Sequence, residues 1–478
     1  MSTAAAAPSI HYRSWPALLV PAIVVVPMLI KLAGVPLNNA WIIFTLLIAL
    51  MLTGMPISIS LGLTVLLYLF TMTTVPLESV ALKLFTGIEK FEIMAIPFFI
   101  LAGNLLTHGG VARRMINFAT SLVGHWHGGI AVAAIYAAGL FSAVSGSSPA
   151  TVVAIGSIML PAMLRHGYPK RYAAGVITIG GSLGNMIPPS IVMVIYSIAT
   201  SGMLIKGPDG KMVGNASVGA LFMAGIVPGI VLAILLGGIA WYRAMRHGYP
   251  RMRRVGWGER IKALRESVWG VMLIVVLLGG IYAGLFTPTE AAAMSAVYAF
   301  IVAVFVYKDM PVSRIPRVLL DSANMSAMLL YIITNAVMFS YLMTSEHIPH
   351  SLATWITTTE LTSFEFLLIV NLLLLLAGNV MEPSSIVLIM APILFPVAVS
   401  LGVDPVHFGV VMTLNMEIGM CHPPVGLNLY VASSIAKMGI TELTIAVWPW
   451  LAGLLFFLIV VTYWPGLSLW LPKALGMM

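Results

Sequence analysis

The sequence predicts an all-α polytopic membrane protein, an inverted repeat carrying two re-entrant hairpins, and three observations lead there. The first is composition: 60% of the 478 residues are hydrophobic and only 8% are charged, against about 25% charged in ordinary globular chains. With a mean hydropathy of +1.02, a soluble fold would lack the polar surface to cover itself. The second is a pair of apolar segments, GNMIPPSIVMVIY from Gly184 and GMCHPPVGLNLY from Gly419, each broken by Pro-Pro. Two adjacent prolines remove two amide donors and clash with the preceding turn, so neither segment can be an unbroken helix. The third is register. Gly184 and Gly419, Pro188 and Pro423, Pro161 and Pro396, and Gly167 and Gly402 all stand 235 residues apart, which marks a duplication. A lone Pro-Pro pair reads as a kink. Paired, interrupted segments in the two halves instead point to a secondary-transporter site at the repeat interface.

The predicted organisation is 1–40, a tail and an extra transmembrane helix; 41–242, the first repeat with a hairpin at about 130–164; 243–266, a basic cytoplasmic linker; and 267–478, the second repeat with a hairpin at about 364–401. Trp15–Leu32 is read as a retained span, because no small-residue cleavage site follows it. Trp41–Thr53 and Ile57–Met72 follow, parted by Gly54-Met55-Pro56. Leu77–Phe91 mixes Glu78, Lys83, Glu89 and Lys90 with apolar residues and reads as an interfacial arm. After the apolar helix Ile93–Leu106, Arg113 and Arg114 open a second amphipathic piece that ends in His125-Trp126-His127. Histidines at i and i+2 do not share a helix face, so an interfacial loop is the better reading than a metal site.

Ile130–Leu164 is interrupted by Ser145-Gly146-Ser147-Ser148-Pro149, which leaves two pieces too short to span a bilayer that needs about 20 residues. A re-entrant hairpin fits better than one long kinked helix. Phe364–Val380, the tip Met381-Glu382-Pro383-Ser384-Ser385 and Ile386–Leu401 repeat it in register. Between the hairpins lie Gly175–Gly202, the polar loop Lys206–Asn215, the span Val218–Tyr242 and the connector Arg243–Arg265 with eight Lys and Arg. Val268–Leu285 and Ala291–Tyr307 then meet at Thr287-Pro288-Thr289-Glu290, an arm at Arg314–Asp321 precedes Met325–Leu342, and Leu443–Leu471 closes the chain. An odd number of crossings separates equivalent segments, so the repeats are inverted and the hairpin tips meet near the midplane.

The net charge of +8 belongs to topology rather than to nucleic acid. With the N-terminus inside, 18 of the 24 Lys and Arg fall on the cytoplasmic side, while Lys31, Lys83, Lys90, Lys206, Lys211 and Lys473 fall outside or at the outer boundary. The lone Cys421 excludes a disulfide framework and a CxxC metal site.

No basic side chain is left to bind an anion in the core. Helix N-termini offer free N–H groups and a positive dipole end to carboxylates, whereas unwound carbonyls and hydroxyls suit a hard cation such as sodium. On this reasoning one cation cradle uses Ser145 and Ser148 with the carbonyls of Gly184, Ile187 and Pro189. A second uses Gly378 and Asn379 with Gly419, His422 and Val425. Ser147, Asn185, Ser190, Asn379, Asn415 and Asn428 are the polar groups aimed at substrate. Each taken singly could equally bond a local carbonyl. His422 either contacts a carboxylate, carries a proton, or is neutral and bonded to backbone. Glu382 and Glu417 are the acids nearest the core; Glu382 could instead sit at the aqueous mouth of its hairpin. No catalytic residue and no organic cofactor are expected, only sodium as coupling ion.

IPFFILAGNLL, SAVSGSSPATVVAIGSIMLPAM, GNMIPPSIVMVIY and GMCHPPVGLNLYVASSI together resemble the large membrane subunit of tripartite ATP-independent periplasmic (TRAP) transporters, in one register from about 41 to 470. The resemblance implies an elevator mechanism, sodium coupling, a bacterial inner-membrane location, a small four-helix membrane subunit and a periplasmic binding protein that delivers substrate. MEPSSIVLIMAPILFPVA through CHPPVGLNLYVASSIAKMGITELTIAVWPW looks like the branch that takes up C4-dicarboxylates such as succinate, fumarate and malate. The sodium positions the resemblance carries over are Ser145, Ser148, Gly184, Ile187 and Pro189, and Gly378, Gly419, His422 and Val425. Many members have threonine where this chain has His422, which puts one hydroxyl ligand in question. The Trp15–Leu32 span is extra to the family core. A stand-alone sodium/dicarboxylate or citrate carrier is the rival reading. An intramembrane enzyme would need clustered nucleophiles or metal ligands, and the sequence has no HExxH.

Overall fold

A computed structural model describes residues 39–53, 55–73, 76–348, 351, 354, 358, 361–379, 381–423 and 426–478. The predicted span Trp15–Leu32 and the site residue Val425 lie outside the described residues.

The chain is nearly all helical. α1 (Asn39–Leu52), α2 (Ile57–Met72) and α3 (Leu77–Ile88) lead through a 3-10 turn at Phe91–Met94 into α4 (Ala95–His108) and α5 (Val111–Val123). α6 (Gly129–Ser145) and α7 (Ser148–Arg165) form the first hairpin, followed by α8 (Lys170–Gly180) and α9 (Ile191–Thr200). α10 (Val218–Arg246), α11 (Trp257–Tyr282), α12 (Pro288–Ile301) and α13 (Ile315–Ser345) come next. The second hairpin is α14 (Ser363–Gly378) and α15 (Pro383–Ser400), and α16 (Pro405–Cys421), α17 (Leu427–Ala436), α18 (Ile440–Tyr463) and α19 (Gly466–Ala474) complete the chain. Among the described residues eight helices are long and apolar enough to cross a membrane, while α6, α9, α14 and α17 are shorter.

Local chemistry fixes the helix ends. Thr287 and Glu290 close a reciprocal capping box at the start of α12, and Thr362 and Glu365 do the same for α14. Both Pro-Pro segments break their helices: α8 ends before Gly184 and α9 resumes at Ile191, while α16 ends at Cys421 and α17 resumes at Leu427. The 235-residue shift recurs in the backbone. Ser148–Arg165 maps onto Pro383–Ser400, and both helices end on a left-handed glycine, Gly167 at φ +83° and Gly402 at φ +82°. The N–H groups beyond them turn back alike, Tyr168 to the Met163 carbonyl at 3.1 Å and Val403 to that of Ala398 at 2.9 Å.

One expectation is revised, and two connecting stretches gain local structure. The arm Arg314–Asp321 and the span Met325–Leu342 form one continuous helix, α13, because no proline or glycine after Pro316 interrupts the i to i−4 ladder. The linker 243–266 is mostly helical: α10 carries Arg243 and Arg246, α11 carries Arg260, Lys262 and Arg265, and only 247–256 is irregular. The loop Lys206–Asn215 holds a small hairpin, Ile205–Lys206 paired with Met212–Val213.

Packing sorts the elements around α13. α13 packs against α2, α3 and α4 and also against α15, which lies against α9 and α16. α12 packs along α4, and α5 against α6 and α11. Asp309, just beyond α12, pairs with Arg114 and lies 3.2 Å from Arg113, while the Arg114 guanidinium stacks 3.8 Å over Tyr307, tying α5 to this end.

Candidate functional site

The two hairpin tips and the two Pro-Pro breaks face one cavity of about 390 Å³. Each of four helices gives its first turn to the wall: α7 through Ser147, Pro149 and Ala150, α9 through Ile191 and Val192, α15 through Glu382, Pro383 and Ser384, and α17 through Leu427. The opposite wall is Met325, Met328 and Leu329 of α13. Among the described residues the lining holds no Lys, Arg or His. First-turn N–H groups have no intrahelical partner, so the wall presents positive helix ends without a basic side chain, an arrangement suited to carboxylates.

Beside the first tip, Ser145, Ser148, Gly184 and Pro189 are brought together. The Ser145 hydroxyl lies 3.0 Å from that of Thr151, which in turn donates to the Ser147 carbonyl at 2.9 Å. Ser148 donates to Glu417 Oε2 at 2.5 Å; Asn185 Nδ2 donates to Glu417 Oε1 at 2.6 Å and to the Ser148 hydroxyl at 3.2 Å. Glycines make the approach possible. A Cβ on Gly184 would fall 2.3 Å from Ser148 Cα, and one on Gly146 would fall 2.8 Å from the Pro189 carbonyl oxygen. Ile187 is in the same segment, with its side chain against Gly139 and Gly229.

The second cradle closes in a similar way. A Cβ on Gly378 would lie 2.9 Å from Gly419 Cα, so the end of α14 and the last turn of α16 touch through backbone alone. His422 Nδ1 stands 3.0 Å from Asn379 Oδ1. The groups gathered at the first cradle are hydroxyl, amide, carboxylate and carbonyl oxygens, with the carbonyl oxygen of buried Asn428 left without a partner. That donor set fits a hard monovalent or divalent cation and not a soft transition metal.

The substrate set divides. Ser147 and Asn185 line the cavity. Ser190 accepts the Met193 N–H at 3.3 Å and so caps α9, while Asn379 is held against His422. Asn415 donates to Asn371 Oδ1 at 2.8 Å, in a chain that continues to Thr462 at 2.9 Å, and Asn428 donates to Cys421 Sγ at 3.5 Å. Neither of these last two is on the described cavity wall. Sequence reasoning missed Thr151, although its place one turn beyond Ser147 is a signal. It also missed Asn371 and Thr462, whose pairing across three helices leaves no local signature. Glu417 was noted as a core acid, but its junction with Ser148 and Asn185 was not legible.

The family described as "Tripartite ATP-independent periplasmic transporter, DctM component" matches residues 44–467. The chain is 70% identical to the C4-dicarboxylate TRAP transporter large permease protein DctM of Rhodobacter capsulatus, over 92% of this chain and 100% of the relative. It is 50% identical to the protein of the same name from Pseudomonas aeruginosa, over 87% of this chain and 95% of the relative. Among solved structures the fold resembles the YdaH transporter of Alcanivorax borkumensis with a TM-score of 0.58 at 15% identity, covering 82% of this chain and 89% of that one. With the family match running through both hairpins and both Pro-Pro segments, the chain belongs to the DctM component family of tripartite ATP-independent periplasmic transporters.

Proposed function

We propose that the chain is the large permease of a tripartite system that takes up C4-dicarboxylates such as succinate, fumarate and malate, driven by sodium. The observation that carries this reading is the cavity walled by four helix N-termini and free of basic side chains among its described lining, with oxygen-rich cradles beside it. The names of the relatives support the dicarboxylate assignment. Sodium at Ser145, Ser148, Gly184, Ile187 and Pro189, and at Gly378, Gly419, His422 and Val425, would lower the cost of burying the substrate carboxylates. Substrate in turn would lower the cost of burying the cations. In water-poor surroundings that mutual stabilisation is the basis of coupling. Asn185 and Ser147 meet the substrate, and Glu417, fully buried, accepts hydrogen bonds from Ser148 and Asn185 at the first cradle.

In this account the two halves are inverted repeats, both hairpins are re-entrant, and the body carrying them moves against α13 as an elevator. The shared 235-residue shift of helix starts and glycine caps supports the duplication. The bias of Lys and Arg supports a cytoplasmic N-terminus in a bacterial inner membrane. The family's tripartite plan supplies the partners: a small four-helix membrane subunit and a periplasmic binding protein.

The test is uptake of radiolabelled succinate by proteoliposomes holding this permease with its small subunit, under an inward sodium gradient. The expected result is uptake that needs both sodium and the loaded binding protein. Uptake without the binding protein would instead identify a stand-alone carrier, and uptake of a different organic acid would overturn the substrate alone.

A further inference from the structure

The seam between α13 and the pair α9 and α15 does not end at the central cavity. The helices that wall that cavity with Val192, Leu329 and Ser384 wall a second one with Ile198, Ser340 and Leu388. From Leu329 to Ser340 along α13 is about 16 Å at the helical rise. The second cavity, of about 350 Å³, is lined by two lysines, Lys83 of α3 and Lys90 just beyond it. Lys83 Nζ sits 5.3 Å over the Tyr341 ring, and Lys90 Nζ donates to the Ile198 carbonyl at 3.1 Å, leaving two ammonium protons uncommitted by that bond. The seam thus has a cationic end and a central cavity whose described lining has no basic side chain.

We propose that this second cavity is a vestibular carboxylate site, where Lys83 and Lys90 together hold one carboxylate of the dicarboxylate on its way between the membrane surface and the central cavity. The inference rests on the uptake reading above and adds to it a station that the coupling-ion cradles do not provide. Burial lowers the Lys90 pKa from the ordinary lysine value; Glu92 opposes that shift, and the neighbouring charge of Lys83 adds a smaller lowering. An anion between the two ammonium groups relieves that repulsion. A two-lysine cluster at the mouth of a low-dielectric crevice also concentrates anions before they enter it. The same chemistry would accept the headgroup of an anionic phospholipid, so the test separates the two sources.

The experiment pairs two readouts on the permease with its small subunit. In proteoliposomes with the binding protein, Lys83→Gln/Lys90→Gln is expected to cut succinate uptake about tenfold at subsaturating substrate and to recover at saturation, with Lys83→Arg/Lys90→Arg close to wild type. In detergent, free succinate is expected to slow reductive methylation of both lysines at least threefold, whereas dimethyl succinate and phosphatidylglycerol are not. Protection by phosphatidylglycerol but not by succinate would assign the site to lipid and overturn the proposal. A loss of uptake that follows binding-protein concentration without succinate protection would assign the lysines to protein docking and also overturn it. An active wild type with an equally active Gln double variant overturns the vestibule alone. An inert wild type overturns the uptake reading, and the vestibule with it.

Discussion

Ser148 is one point where the two halves of the chain touch through polar atoms: its hydroxyl donates to Glu417 and accepts from Asn185, and its Cα lies under Gly184. Ser148→Ala strips one donor from a fully buried carboxylate. Leaving such a group short of a partner costs about 1–3 kcal/mol, so the sodium concentration for half-maximal uptake is expected to rise roughly tenfold to a hundredfold, read from the sodium dependence of succinate uptake. An unchanged sodium dependence would remove Ser148 from the cradle. Gly419→Ala sets a methyl 2.7 Å from Gly378 Cα, where only backbone faces backbone. Overpacking of this kind costs about 1–3 kcal/mol, and the expected outcome is a lowered melting temperature together with lost uptake. The serines, glycines and Pro-Pro pairs of this region were legible because each has a local chemical reason to interrupt a helix. Asn415 was not: its partner Asn371 lies on another helix, and nothing in either neighbourhood announces the pair.

At the scale of elements, boundaries followed the residues that terminate backbone ladders. The Thr287 and Thr362 caps, the Gly167 and Gly402 stops and both Pro-Pro breaks can be found from sequence, since each satisfies or removes specific N–H and carbonyl groups. α13 was divided wrongly because Arg314, Arg317 and Asp321 change the polarity of the chain without changing its ability to stay helical. The caps make an element-level prediction. Thr362→Ala is expected to cost about 1 kcal/mol, seen as a lower melting temperature in detergent, with the sodium dependence of uptake unaltered because the cap lies at the far end of α14 from Gly378. A shift in sodium dependence as large as that of Ser148→Ala would contradict the separation of support from site.

For the whole molecule, the central assertion is that the cavity between the hairpin tips and α13 holds dicarboxylate together with sodium. The fixed 235-residue shift of Pro and Gly landmarks was legible in the sequence, and it recurs in helix starts and glycine stops. Ser147, Asn185 and Glu382 were legible as lining, but Met325, Met328 and Leu329 of the opposite wall were not, because their place depends on how separate helices converge. Ala150 lines this cavity, while the native Cys421 is fully buried and serves as an internal blank. The most direct measurement is the rate of maleimide labelling of Ala150→Cys in the permease with its small subunit, with and without succinate, in sodium and in choline. The account predicts that succinate slows labelling severalfold in sodium and has little effect in choline. Labelling that ignores succinate in sodium, or that is protected equally in choline, would contradict it.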